Sequence, residues 1–326
     1  MMRKHQIMCI DDELANLALL EAILTSHDYK VIMVSDGKEA LKHIKERNVD
    51  LVLLDIMMPE MDGYSICKKL KEDEITRHIP VIIITSLTSK KEKITALKAG
   101  ADDFVSKPFD QTELLVRIAT LLKMREGEEA YSYLIHSLAR AAEANDEDTG
   151  NHIVRVSEYC FIISQEMGMP EKFQDTIRLQ SPLHDVGKIH LTASILKKKD
   201  RLTPDEWSEI KQHTLYGAKI IGKHPRLTMA NTISLTHHER WDGSGYPNAL
   251  KGESIPVEGR IVALADQYDA LRNARVYKPA FDHQKTCAII TEGDERTKPT
   301  HFDPNVLKIF EKIEFSFNKL YEKMKD

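Results

Sequence analysis

Two adjacent histidines run into a Gly-rich turn at His237-His238-Glu239-Arg240-Trp241-Asp242-Gly243-Ser244-Gly245-Tyr246-Pro247. Each imidazole has a ring nitrogen that needs a partner, so a His-His pair fills a core poorly. It holds a metal well, because neutral imidazole is the commonest protein metal ligand. Further candidates are His152 in Asp148-Thr149-Gly150-Asn151-His152, His184-Asp185 in HDVGK, His213 in HTLYG and Asp266 in ALADQYDAL. Their surroundings are apolar, as at Ile233, Leu235 and Val262 to Leu264, where a charged group should be paired or coordinated. Taken singly, a buried histidine such as His213 is more often a hydrogen-bonded core residue. Five imidazoles and two carboxylates together are not explained that way. With no thiolate among them, they exceed one tetrahedral zinc site and suit two ions such as iron or manganese, with zinc also admitted. Asp185, beside a histidine that can hold one ion, can bridge the pair. Two ions about 3.5–4 Å apart activate water and stabilise an in-line displacement at phosphorus. His136, His190, His224 and His283 fall in no such pattern and read as structural or surface residues.

A second constellation contains only oxygen and ammonium. Asp11 and Asp12 end one apolar run, Asp55 another and Thr85 a third, and Lys107-Pro108 follows a fourth. Three carboxylates at one edge repel unless a cation joins them, and oxygen-only ligands select Mg2+ or a similar hard ion.

The elements that must position these groups differ between the two halves. Strands are expected at Gln6 to Ile10, Lys30 to Val34, Asp50 to Leu54, Val81 to Ile84 and Asp102 to Val105. Helices are expected at Leu14 to Ser26, Gly37 to Glu46, Tyr64 to Lys71, Lys90 to Ala99 and Gln111 to Lys123. This alternation predicts an α/β doubly wound parallel five-stranded domain over 1–122, with ligands at the carboxyl ends of its strands. Residues 123–136 read as a helical linker, and Leu134, Leu138 and Ala141, with Ile135 and Ala142, keep helical spacing. From there amphipathic helical patterns dominate, predicting an all-α domain over 137–326.

Composition narrows the function. The chain has 326 residues, 42% hydrophobic and 30% charged, with a formal net charge of -5, an ordinary globular balance that argues against a DNA-binding surface. Cys9, Cys67, Cys160 and Cys287 are far apart and form no C-x-x-C pair, which fits a reducing cytoplasm. The first apolar stretch is too short for a signal peptide, and no run approaches a membrane span.

The first half resembles the response-regulator receiver domain through Asp11-Asp12, Asp55 in LLDIMMPEMDG, Thr85 with Ser86, Phe104 and Lys107-Pro108. The resemblance implies that Asp55 accepts a phosphoryl group from a cognate histidine kinase. Asp11, Asp12, Asp55 and the Met57 carbonyl would hold Mg2+. Lys107 would pair with the phosphoryl oxygens, and Thr85 and Phe104 would form the switch pair. A phosphoryl group adds about -1.5 to -2 charge and three acceptor oxygens, enough to draw a hydroxyl and an ammonium inward.

The second half resembles the HD-GYP family of the HD phosphohydrolase superfamily. The matching motifs are DTGNH at 148–152, HDVGK at 184–188, ILKKKDRLTPDEW at 195–207 and HTLYG at 213–217. They continue with HHERWDGSGYP at 237–247, ADQYDALRNARVYK at 265–278 and HFDP at 301–304. The resemblance implies a metal-dependent phosphodiesterase that hydrolyses cyclic di-GMP to pGpG and on to GMP. Its ligands would be His152, His184, bridging Asp185, His213, His237, His238 and Asp266, often around iron. Lys188, Arg275 and Lys278 would bind the substrate's phosphates, by point charge for Lys and a bidentate fork for Arg. Gly245, Tyr246 and Pro247 would form a loop near the metals, with Tyr246 either a packing anchor or a contact for substrate or a signalling-protein partner. A homodimer is expected. Where family members with a third ion carry Glu, this chain has the shorter Asp148, which favours two ions. His213 is followed by Thr214 rather than the usual Pro, and Gly293 to Thr300 is more charged than usual. Two other readings stand beside this one: a metal- and dinucleotide-binding scaffold without turnover, and an HD phosphohydrolase for another cyclic dinucleotide.

Overall fold

Five apolar runs pair as parallel strands, β1 (Gln6–Ile10), β2 (Lys30–Val34), β3 (Leu51–Asp55), β4 (Val81–Thr85) and β5 (Asp103–Ser106). Their order is β2-β1-β3-β4-β5, the doubly wound arrangement with its switch point between β1 and β3. The computed structural model describes residues 3–86, 90–144, 150–198, 200–273 and 280–325. The chain divides into two units, Met1–Ala130 and Tyr131–Asp326, so the division falls inside the segment expected to be a linker.

In the first unit, helices α1 (Leu14–Ser26), α2 (Gly37–Glu46), α3 (Gly63–Glu72), α4 (Lys90–Lys98) and α5 (Gln111–Glu143) alternate with the strands. Both sheet faces are covered: Met8, Ile10, Val52, Leu54 and Ile83 pack on one side, and Ile7, Cys9, Leu51, Leu53 and Ile82 on the other. Burial on both faces is why these strands read as continuous rather than alternating apolar runs. Strand β3 begins one residue later than expected. The Asp50 carboxylate instead accepts the Gln6 amide hydrogen at 2.8 Å, and Asp55 takes the last ladder position opposite Ile84.

Helix α5 does not stop at Lys123. It continues unbroken through Gly127 to Glu143, and Arg125 anchors it early through bonds to the Val49 and Asp50 carbonyls at 3.0 and 2.8 Å. Its buried stripe beyond the division is Ile135, Ala139 and Ala142. Leu134, Leu138 and Ala141, one residue out of phase with that stripe, are exposed.

The second unit is helical: α6 (Gly150–Glu166), α7 (Glu171–Gln180), α8 (Ala193–Leu196), α9 (Pro204–Lys211), α10 (His213–Ile221), α11 (Thr228–Thr236), α12 (Val257–Arg272), α13 (His283–Thr291) and α14 (Pro304–Met324). Its described residues contain no strand. Tyr159, Tyr268, Phe310 and Phe317 are fully buried in one core, with Tyr159 and Phe317 stacked at 4.3 Å between centroids. Helix α14, capped by Asp303 through the Asn305 amide, thereby closes the unit. No helix among the described residues is long and apolar enough to cross a membrane.

Candidate metal centre and receiver site

Short structural devices bring the candidate ligands together. His152 lies in the first turn of α6, His213 opens α10, His237 caps the end of α11, and Asp266 projects from α12. His184 and Asp185 sit between two 3-10 turns, Ser181–Leu183 and Val186–His190. The second turn packs tightly against α10, because Gly187 has no side chain. A Cβ there would lie 1.8 Å from the His213 carbonyl oxygen and 2.5 Å from the Gly217 nitrogen. Gly187 therefore sets how close His213 comes to Asp185.

Ring orientation is fixed from behind. His184, His213 and His237 place Nδ1 at 2.9, 2.6 and 3.0 Å from the carbonyl oxygens of Ser181, Ile210 and Ile233. His152 places Nδ1 2.8 Å from Asp269 Oδ2. Carbonyls and carboxylates only accept, so each Nδ1 carries a proton, and in the neutral form that binds a metal each ring presents Nε2 as its lone pair. Those lone pairs converge. His213 Nε2 faces His237 Nε2 at 3.3 Å, and lone pairs at that distance repel unless a cation or proton lies between them.

Asp185 turns its two oxygens to two groups. Oδ1 lies 3.1 Å from His213 Nε2 and 3.5 Å from His237 Nε2, while Oδ2 lies 3.4 Å from His184 Nε2 and 2.8 Å from Lys188 Nζ. Burial opposes its charge, but Lys188 and His184 outweigh that and hold the carboxyl well below its ordinary range. Asp266 Oδ1 lies 3.7 Å from His152 Nε2 and 3.9 Å from His184 Nε2. Burial keeps His237 and His238 below the ordinary histidine range, for His238 with help from its neighbours His237 and His213. Buried neutral imidazoles facing carboxylate oxygens suit divalent ions. The donors separate into two sets, Asp185 with His213, His237 and His238, and His152 with His184, so the residues fit a two-ion centre.

The first unit carries its own cluster at the carboxyl ends of the strands, where Asp11, Asp12 and Asp55 come within reach of one ion. Lys107 Nζ lies 2.6 Å from Asp55 Oδ1 and 2.8 Å from Asp11 Oδ2. Burial works against its charge, yet the bonds to Asp11 and Asp55 prevail and raise its pKa. The Met57 amide donates to Asp55 Oδ2 at 2.7 Å, so the backbone after β3 curls around the carboxylate. Thr85 is buried at the end of β4, and Phe104 is half-buried in β5. The Lys107–Pro108 peptide bond is cis.

Comparison with known proteins agrees with both geometries. Residues 7–119 match the response regulator receiver domain, and residues 136–306 match the HD domain. The chain belongs to the response regulators that carry an HD domain. A protein named probable cyclic di-GMP phosphodiesterase from Vibrio cholerae serotype O1 is 34% identical over 98% of this chain and 80% of its own length. The cyclic di-GMP phosphodiesterase response regulator RpfG of Xanthomonas campestris pv. campestris is 36% identical over 84% of this chain and 80% of its own. A 3'3'-cGAMP-specific phosphodiesterase 2 of Vibrio cholerae serotype O1 is 42% identical over 54% of this chain and 33% of its own.

In this HD-domain response regulator the seven expected ligands lie together, and Lys188 Nζ stands 2.8 Å from Asp185 Oδ2. Asp148, Arg275 and Lys278 lie outside the described residues. The Gly245–Pro247 loop folds against the site. Tyr246 stacks on His238 at 4.8 Å and meets Trp207 edge-on at 6.2 Å, so its ring packs against a candidate ligand. Gly245 allows this approach, since a Cβ there would lie 2.3 Å from the Arg240 nitrogen.

Three residues escaped the sequence reading. Glu239 is buried and accepts the Asn248 and Leu250 amides at 2.7 and 2.9 Å, clamping the loop. Asp269 is fully buried and takes Arg155 Nε at 2.8 Å as well as His152. It lies one turn after Asp266 in an apolar run, and that spacing was the available signal. Glu143, the last residue of α5, stands with its Oε1 3.7 Å from His152 Nε2. It follows the stripe Ile135, Ala139, Ala142 at about 100° per residue, so it falls at the edge of the buried face.

Proposed function

We propose that this chain is a metal-dependent phosphodiesterase for cyclic di-GMP whose activity answers to phosphorylation of Asp55 by a histidine kinase. The observation that carries the reading is Asp185, whose two oxygens face the Nε2 atoms of different histidines, Oδ1 that of His213 and Oδ2 that of His184. Ions held there would supply Lewis-acid polarisation and lower the pKa of a bound water. The chain's own residues do the rest. The Nδ1 bonds of His152, His184, His213 and His237 hold the donors in place without reorganisation, which favours charge developing at phosphorus. Lys188, 2.8 Å from Asp185 Oδ2, is placed to exchange that partner for a phosphate oxygen, with Arg275 and Lys278 proposed for the remaining phosphate charge.

A pocket of about 210 Å³ adjoins the centre, lined among others by Trp207, Arg240, Tyr246, Asp266 and Gln267. Aromatic faces and hydrogen-bonding side chains suit a purine base, because stacking is tolerant and edge contacts discriminate. Products pGpG and then GMP, an iron centre and a homodimeric assembly belong to the same reading. A second substrate is favoured by one observation, the likeness to the 3'3'-cGAMP-specific enzyme. Anaerobically purified, metal-replete protein assayed against both dinucleotides, with product chromatography, separates the cases. Turnover of cyclic di-GMP that Asp185→Ala abolishes is expected. Intact substrate at every metal loading would leave a binding scaffold instead.

A further inference from the structure

We propose that Glu143 completes the ligand set of the ion held by His152 and His184. The proposal rests on the two-ion reading above. Glu143 is 4% exposed, and neither of its carboxylate oxygens has a hydrogen-bond partner among the described residues. An ionised carboxylate buried that way is costly unless something charged meets it. The nearest candidate is His152 Nε2, 3.7 Å from Glu143 Oε1. His152 has already committed Nδ1 to Asp269, so in its neutral, metal-binding form it turns a lone pair toward the carboxylate, and an ion between them would satisfy both.

His184 Nε2 is likewise without a hydrogen-bond partner, and Glu143, His152 and His184 lie close enough to share one ion. Asp266 Oδ1 stands 3.7 and 3.9 Å from the two Nε2 atoms. A divalent ion with ligands at about 2.0–2.2 Å would satisfy the lone pairs and the orphaned oxygens together. The centre then has two comparable halves. Glu143, His152, His184 and Asp266 serve one ion, while Asp185, His213, His237 and His238 serve the other, with Asp185 Oδ2 turned back toward the first.

The test counts metal rather than turnover. Full-length wild type, Glu143→Gln and His238→Asn are stripped, loaded anaerobically with Fe2+ in excess Mg2+ to fill the oxygen-only receiver site, and analysed for iron. Two irons per chain are expected for wild type and one for each variant, or at least about tenfold weaker binding of one ion. In chelator, Glu143→Gln should melt at or above wild type, because a buried charge is removed, and it should gain less on adding Fe2+. Two irons bound with wild-type affinity by Glu143→Gln would overturn the proposal and leave the two-ion centre standing. A wild type that takes up no Fe2+ would overturn the centre and the proposal together. Should Glu143→Gln fail to fold, Glu143→Asp retains the charge and withdraws the oxygens by one methylene, and the same count decides.

Discussion

Asp269 Oδ2 lies 2.8 Å from His152 Nδ1 at a depth where the carboxylate is fully buried. Burial raises the Asp269 pKa, but His152 and Arg155 outweigh it and keep the group ionised. The pair fixes which imidazole nitrogen faces the metal site. Asp269→Asn retains the shape and weakens the orienting bond, so metal affinity should fall by about 10–100-fold. Asp269→Ala should also destabilise the fold by about 3–5 kcal/mol, because the buried Arg155 loses the carboxylate that its Nε and Nη2 bond. Metal titrations and urea melts read the two effects separately.

Metal-free protein should lose stability as pH rises. Burial pushes the Glu143 carboxyl from 4.5 up to about 7, so the folded state binds the extra proton between those values, a contribution of about 3 kcal/mol lost across that window. His152 moves from 6.5 to about 10: burial opposes its charge, and Asp269 and Glu143 more than compensate. Its contribution is complete below 6.5 and disappears as pH passes about 10. Melts in chelator from pH 4.5 to 10 should therefore decline, and Glu143→Gln should flatten the acidic part. Metal-loaded protein should show the opposite trend, since ligands must shed protons to bind.

In the receiver unit, Lys107 balances two buried carboxylates. Lys107→Met should cost about 1–3 kcal/mol, and millimolar Mg2+ should recover part of it by standing in for the ammonium. Equal losses with and without Mg2+ would contradict that role. Beryllofluoride, a phosphoryl mimic, should alter phosphodiesterase rate or oligomeric state in wild type and do neither in Asp55→Ala.

Tyr246 divides packing from chemistry. Tyr246→Phe keeps the stack on His238 and should stay within a few-fold of wild-type activity. Tyr246→Ala removes it and should lower activity and metal retention together. A large loss in the Phe variant would instead assign work to the hydroxyl.

Gly187→Ala should destabilise by about 1–3 kcal/mol through overpacking, with activity falling further than stability because His213 is displaced from Asp185. A melt unchanged within error would show that the turn can yield.

The α/β half was legible because its signals are local. Apolar runs end in Asp11, Asp55 and Thr85, and strand ends are where such sheets bind ligands. The five imidazoles were legible as a set suited to two ions, although how they group around Asp185 needed the distances. Glu143 and Asp269 were missed because a carboxylate on a helix is ordinarily solvated; Asp269 had only its spacing from Asp266 to mark it, and tertiary burial is what sets both apart. The phase of α5 was ambiguous for a related reason. Leu134 and Leu138 are more hydrophobic than Ala139 and Ala142, yet it is the two alanines that join Ile135 in the buried cluster with Val186 and Ala230.

Helix α5 also bears on how such a protein can be cut and recombined. A graft joined after residue 144 would inherit every histidine of the HD motif set while losing Glu143 and the whole Ile135, Ala139, Ala142 seam. An enzyme transplanted onto another sensor must therefore carry the far end of the receiver's last helix with it, because the portable module begins well upstream of the residues by which it is recognised.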